Sequence, residues 1–333
     1  MNHQENGAIS MCNSNQELDI EKAGDEANKL VLLGSALKAG IFQALDTEKD
    51  IVTLKEELHA DERALYIVLE ALCSMGYVVK SHDRYVIADK ARPLFLLRGE
   101  EYVGGYLPHL MNILRSWLAL PDIIKGERPE KEPVPRDIPV FMHAMASRPD
   151  TIAEEAVSQI LMKKKDAKNV LDLGGGPGKY SQEFVKKGLK AVLFDTEEVI
   201  DYVSTVFNLK EIKNITLKKG DFTENIEMDF TEKFDIVFMG NICHIYSENN
   251  NRKLIRQVHD LLNKKGMIAI EDFVRGRSPH AELFAVNMLA NSEEGNSWSE
   301  SQYREWLKDG GFHGIEVIDL AKKGKQLILG FKV

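Results

Sequence analysis

Val170-Leu171-Asp172-Leu173-Gly174-Gly175-Gly176-Pro177-Gly178-Lys179-Tyr180 is the most informative segment of the sequence. An apolar run breaks into a glycine loop, and helix-compatible residues follow. Glycine permits positive φ and lets backbone N–H groups approach a ligand closely. A Walker loop requires G-x-x-x-x-G-K followed by Ser or Thr. Leu173 stands where its first glycine belongs and Tyr180 follows Lys179, so that reading fails. A dinucleotide fingerprint requires G-x-G-x-x-G. Gly174 and Gly176 fit it, but Lys179 replaces the third glycine. What remains is an acid, Asp172, followed by glycines at 174, 176 and 178.

Two further acids follow downstream. Ala191-Val192-Leu193-Phe194-Asp195 reads as a strand ending in Asp, placed to accept ribose hydroxyls or, alternatively, to cap the helix at Glu197. Lys219-Gly220-Asp221-Phe222 follows a third strand and offers a carboxylate and an aromatic ring for an adenine. From Asn169 onward candidate strands fall at 169–173, 190–195, 214–218, 234–239, 266–271, 314–319 and 325–332, with helical segments between them. This alternation predicts an α/β fold with a doubly wound, mainly parallel seven-stranded sheet. The close spacing of the last two strands implies one antiparallel hairpin.

Upstream the pattern is helical. Leu30, Leu33, Ala36, Leu37, Ile41 and Leu45 form an apolar stripe that suits either a core face or a subunit contact. Residues 51–95 read as a winged helix. Thr53 is expected to cap a helix over 54–59, and Asp61 one over 62–75 ended by Gly76. A wing then runs over 77–87 about a Ser81-His82-Asp83 turn. Its six basic residues face seven acidic ones, and the second helix carries Arg63 against three acids. Counterion release needs clustered Lys and Arg, so no nucleic-acid partner is expected. Half of the ten prolines crowd into 121–140, which predicts an extended connector before a helix over 141–162. The domain reading is thus a flexible tail over 1–18, a winged-helix domain over 19–120, the connector, and the α/β domain over 141–333.

The whole chain has 333 residues, 44% hydrophobic and 29% charged, with a net charge of −9 at pH 7. That is the composition of an ordinary globular protein of about two domains. No apolar run reaches the ~18 residues of a membrane span, and no signal peptide opens the chain, so neither membrane nor export is expected. Cys12, Cys73 and Cys243 are scattered, with no C-x-x-C or H-E-x-x-H motif. A cytoplasmic setting without a bound metal is expected.

The D-x-G-x-G-x-G form with its two following acids is how class I methyltransferases hold S-adenosylmethionine. The chain resembles the small-molecule O-methyltransferases of the plant phenylpropanoid and bacterial antibiotic-tailoring type over about residues 25–333. The resemblance implies a Rossmann-like cofactor domain and homodimerisation through the N-terminal domain. It also implies cofactor contacts from Asp172, Gly174, Gly176, Gly178, Asp195, Thr196, Gly220, Asp221, Phe222 and Asn241. In Gly240-Asn241-Ile242-Cys243-His244-Ile245-Tyr246, His244 matches the family's general base, while Ile245 and Tyr246 replace the Asp and Trp that normally follow. Glu271, at the end of the fifth strand, is the expected carboxylate behind His244, with neighbouring Asp272 as the alternative. Met142, Met145, Asn287 and Met288 are the expected substrate contacts, though residues of this kind are more often core than pocket. The implied function is methyl transfer to a small molecule, at a hydroxyl. Transfer to nitrogen or carbon, loss of transfer, and a ligand-sensing winged-helix regulator are the alternatives.

Overall fold

The computed structural model describes residues 19–99, 101–127, 137–224, 226, 230–321 and 324–333. The tail expected over 1–18 and the middle of the proline-rich segment lie outside these. The chain divides into two compact units, which meet between Ala91 and Arg92 rather than at residue 120. Helix 107–117 packs against elements of the second unit, which moves the boundary upstream.

The first unit opens with α1 (Ile20–Lys38), capped by Asp19, which accepts the Lys22 N–H at 2.9 Å. A left-handed Gly40 turns the chain into α2 (Ile41–Ala44). The short β1 (Lys49–Asp50) leads into α3 (Ile51–Leu58). Asp50 caps α3 by accepting the Thr53 N–H, so Thr53 lies inside the helix that it was expected to cap. Asp61 caps α4 (Glu62–Ser74) as expected. Beyond α4, Gly76 adopts φ 71°, and the Tyr77 N–H reaches back to the Leu72 carbonyl. Strands β2 (Val78–Ser81) and β3 (Arg84–Ile87) form the hairpin. β1 pairs with the outer side of β3, giving an antiparallel order β1-β3-β2.

The second unit begins with α5 (Arg92–Phe95), α6 (Leu107–Trp117) and α7 (Leu120–Ile124). It continues with α8 (Ile138–Ala146) and α9 (Asp150–Lys163). Pro121 and Pro139, expected in an extended connector, instead sit in the first turns of α7 and α8, where a missing N–H costs nothing. The single helix expected over 141–162 is two. Pro149 cannot donate and disfavours helical geometry at Arg148, so the chain breaks there.

Seven strands follow: β4 (Asn169–Leu173), β5 (Lys190–Asp195), β6 (Ile215–Lys219), β7 (Phe234–Gly240), β8 (Leu262–Asp272), β9 (His313–Asp319) and β10 (Gln326–Phe331). Their order is β6-β5-β4-β7-β8-β10-β9. All pairs are parallel except those of β10, which runs antiparallel to both β8 and β9. The doubly wound sheet read from the sequence is therefore present. Between the strands lie α10 (Lys179–Lys186), α11 (Glu197–Val206), α12 (Glu248–Leu261), α13 (Ala281–Asn291) and α14 (Glu300–Asp309). The inner strands are buried on both faces, while the edge strands β6 and β9 are only partly covered. One face packs on Leu254, Val258, Tyr303 and Trp306, the other on Val157, Ile160 and Phe184. Chain order reverses between β4 and β7, which opens a crevice at the carboxyl ends of these strands. No helix among the described residues is long and apolar enough to cross a membrane.

Phe184 fixes α10 to the sheet: it is fully buried and its ring meets Phe238 edge-on at 5.8 Å. Phe184→Ala is expected to lower unfolding free energy by about 3–5 kcal/mol in urea titration. A loss below about 1 kcal/mol would show that α10 is held by other contacts.

Candidate functional site

The crevice is a cavity of about 460 Å³, within the range of small-molecule sites. The glycine loop forms its floor. Gly174, Gly176 and Gly178 have φ of 70°, 50° and 78°, the left-handed region that other residues enter reluctantly. Space excludes side chains as well. A Cβ on Gly174 would lie 2.3 Å from Ile242, and one on Gly178 2.8 Å from Leu209. Gly176 is different: it lines the cavity, and its nearest neighbour would be the Met142 sulfur at 3.8 Å. A ligand can therefore approach the Gly176 backbone directly.

Two buried carboxylates hold the loop. Asp195 Oδ2 accepts the Gly176 N–H at 2.9 Å, and Oδ1 accepts the Thr196 N–H at 2.8 Å. Thr196, not Asp195, holds the N-cap position of α11, so the capping alternative for Asp195 does not apply. Asp172 Oδ2 accepts both the N–H and the hydroxyl of Ser181, at 3.1 and 2.6 Å, tying β4 to α10. Burial pushes the Asp172 carboxyl up to about 7, against the hydrogen bonds from Ser181. Lys179, the residue that broke the dinucleotide pattern, donates to the Ala146 and Arg148 carbonyls and pairs with Asp150. It locks the loop to the α8–α9 corner.

Of the residues expected at the site, Met142, Met145, Asp172, Gly174, Gly176, Asp195, Thr196, Phe222 and Asn241 line the cavity. The others do not. Gly178 packs α10 onto β5, and Gly220 donates to the Asp195 carbonyl at 3.0 Å. Asp221 is exposed and closes a turn on Thr223. Asn287 accepts from the Trp117 indole at 3.1 Å, and Met288 is buried in α13, so both are packing residues here.

His244 lies in the turn after β7 and is buried. Ile242, Ile245 and Tyr246 around it line the cavity; His244 does not. Its Nδ1 is 2.8 Å from Asp272 Oδ1, and its backbone N–H donates to Asp272 Oδ2. The carboxylate behind His244 is therefore Asp272, not Glu271. Successive strand residues point to opposite faces, and Asp272 has the parity that meets the β7 turn. Burial alone would raise the Asp272 carboxyl. The His244 imidazole and the Phe273 N–H outweigh it, so the carboxyl lies below its ordinary value. Tyr303 adds a hydroxyl bond at 3.2 Å. Phe284 stands edge-on to the imidazole, 4.8 Å away. Burial, and then Asp272, raise the neighbouring Cys243 thiol well above its ordinary value, so it is no nucleophile.

Glu271 instead pairs with Lys325, which the sequence reading did not reach. Lys325 heads the strand expected over 325–332 and directly precedes β10, and no local signal marks a lone lysine there as a site residue. Tyr180 and Arg148 also line the cavity unforeseen. No cluster of His, Cys, Asp or Glu among the described residues is placed to hold a metal ion.

The O-methyltransferase domain family model matches residues 131–313, more than half of the chain. An uncharacterised protein of Methanocaldococcus jannaschii is 24% identical over 327 residues, covering 91% of this chain and 86% of that one. The 3-hydroxy-5-methyl-1-naphthoate 3-O-methyltransferase of Streptomyces sahachiroi is 22% identical over 314 residues, covering 89% of each chain. The fold is similar to that of PigF solved with SAH, with a TM-score of 0.79 at 17% identity, covering 95% of this chain and all of that one.

The Asp172 carboxyl yields a pH prediction. Between about pH 4 and pH 7 the folded chain keeps a proton there that the unfolded chain releases, so this group's contribution to stability falls as pH rises. Asp172→Asn removes the titration with little change in shape. Its melting temperature is expected to rise relative to the wild type from pH 5 to pH 8. A difference independent of pH would contradict the assignment.

Proposed function

The chain belongs to the O-methyltransferase family and depends on S-adenosylmethionine, and from this premise we propose that it methylates a hydroxyl of a small molecule with His244 as general base. When bound, the cofactor supplies an electrophilic methyl group on a sulfonium with a neutral thioether to leave. The chain must hold that donor, orient the acceptor and take one proton.

The residues fit the donor. Gly176 offers its backbone to the cavity, and the Asp195 carboxylate beside it suits ribose hydroxyls. Phe222 supplies an apolar wall for the adenine ring, whereas the exposed Asp221 is offered only for its outer edge. Met142 and Met145 from α8 face the same space and serve as adaptable walls for an apolar acceptor.

The 2.8 Å bond between His244 Nδ1 and Asp272 is the observation that carries the base assignment. A carboxylate can only accept, so Nδ1 carries the hydrogen and Nε2 keeps the lone pair that takes a proton. Asp272 then stabilises the imidazolium that forms. Asp272 thus supplies from β8 the carboxylate that Ile245 cannot.

The first unit serves as a winged-helix dimerisation module in this reading. Leu33 and Leu37 on α1 stay half-buried within one chain, while Val31 and Ile67 remain about half exposed at 45% and 50%. These apolar positions suit a homodimer contact. The acidic balance of residues 51–95 argues against DNA as a partner. Free, separated Cys73 and Cys243 accord with a cytoplasmic setting.

Incubation with S-adenosylmethionine and pooled phenols, hydroquinones and amines is expected to release S-adenosylhomocysteine with the hydroxyl compounds. Release with amines alone would contradict the acceptor assignment. His244→Ala is expected to slow turnover about 10²-fold or more while donor affinity stays unchanged by calorimetry. A rate within about threefold of the wild type would exclude the base role.

A further inference from the structure

Lys325 is a buried cation at the wall of the cavity. Its side chain is 2% exposed, yet it lines that wall. Its Nζ donates to Glu271 Oε1 at 2.7 Å and to Asn241 Oδ1 at 2.5 Å, and stands 5.4 Å from the Phe273 ring centre. An ammonium carries three N–H groups, and these two acceptors use two of them.

Strand order fixes which half of the cavity Lys325 serves. Asp195, Thr196 and Phe222 follow β5 and β6, on one side of β4. Asn241 and Glu271 end β7 and β8, on the other side. Because β10 runs antiparallel, Lys325, the residue just before it, lands at the same edge. Asp195, Thr196 and Phe222 are therefore separated from the ammonium by the switch point, while Asn241, read from the sequence as a cofactor contact, bonds it directly.

The groups facing Lys325 leave it able to take an anion. Glu271 is the carboxylate in contact with it, and Oε2 of Glu271 has no hydrogen-bond partner. Asp272 senses the ammonium but is already engaged with His244. Tyr180, on α10, lines the cavity beside this cluster. Burial first, and then Glu271, hold its phenol well above the ordinary value, so it stays neutral. Burying two charges costs desolvation that their attraction repays only in good geometry, so an apolar pair would serve packing as well. A third N–H that neither acceptor takes, on a residue that lines the cavity, gives the pair a use that packing does not.

We propose that Lys325 is a specificity-determining residue of the acceptor half, whose Nζ takes an ionised oxygen of a phenol- or enol-class methyl acceptor. This rests on the methyl-transfer reading above. The ammonium favours the ionised form of the acceptor and so selects acidic hydroxyls over aliphatic alcohols and amines.

The test uses the full-length protein loaded with S-adenosylhomocysteine and 4-nitrophenol as probe, with ionisation followed by phenolate absorbance. In the wild type the bound phenol is expected to titrate about 1 unit or more below its free value. Lys325→Met is expected to abolish the shift and weaken phenolate binding about tenfold, leaving nitrobenzene, the neutral analogue, unaffected. Glu271→Gln is expected to lower the bound pKa further, because a competing carboxylate is gone. A purely structural ion pair would make both variants weaken binding alike, and that result would overturn the proposal. The double variant Lys325→Met/Glu271→Gln leaves no unpaired buried charge, and it too is expected to lose the shift. A wild type that shows no saturable phenolate binding, or binds the phenol at its free pKa, would overturn the proposal. So would a tenfold loss of S-adenosylhomocysteine affinity in Lys325→Met, which would assign the ammonium to the donor's carboxylate. Failure of the wild type to bind S-adenosylhomocysteine would be seen before phenol is added, and would remove the methyl-transfer reading itself.

Discussion

Asp195 accepts the Gly176 N–H, and through that bond the end of β5 holds the loop that follows β4. The Gly174 N–H completes the tie by donating to the Phe194 carbonyl at 2.8 Å. Asp172 anchors the loop's far end on Ser181 at the start of α10. Strand, loop and helix are thus set relative to one another before any ligand arrives. The glycines are required twice over, by positive φ at 174, 176 and 178 and by contacts that leave no room for a Cβ at 174 and 178. The open side of Gly176 is what makes this a binding floor and not merely a tight turn.

Four buried carboxylates stand at this edge of the sheet, and each meets the cost of burial differently. Asp172 lies near neutrality, with its carboxyl pushed up to about 7. Asp195 receives two backbone N–H groups. Asp272 faces the His244 imidazole, and Glu271 faces Lys325. These differences separate the jobs. A carboxyl raised by burial anchors the end of the loop, one that accepts backbone N–H groups holds its middle, and one held below its ordinary value faces an imidazole.

Most of the fold was legible because its signals are local and periodic. The strands of the sheet announced themselves as apolar runs between glycine and charge, and the Asp-Gly pattern at 172–178 located the crevice. Misreadings arose where tertiary contacts decide. Pro121 and Pro139 read as breakers but open helices, since composition does not reveal whether a proline falls at a first turn. Glu271 and Asp272 are adjacent in sequence, and only the facing of β8 against the β7 turn tells which meets His244. Lys325 lies 84 residues beyond Asn241, and its contact depends on an antiparallel strand inserted beside β8. Asn287 and Met288 sit on a helix whose rotation about its own axis the sequence does not fix, and they point to Trp117 and the core.

The crevice at the β4–β7 switch point is lined for a sulfonium nucleoside and not for a pyrophosphate. Calorimetric titration of the purified chain with S-adenosylhomocysteine and, separately, with NADH tests it most directly. Saturable binding of S-adenosylhomocysteine at one site per chain, with no heat from NADH, is the expected result. Uptake of NADH by a chain that ignores S-adenosylhomocysteine would contradict it.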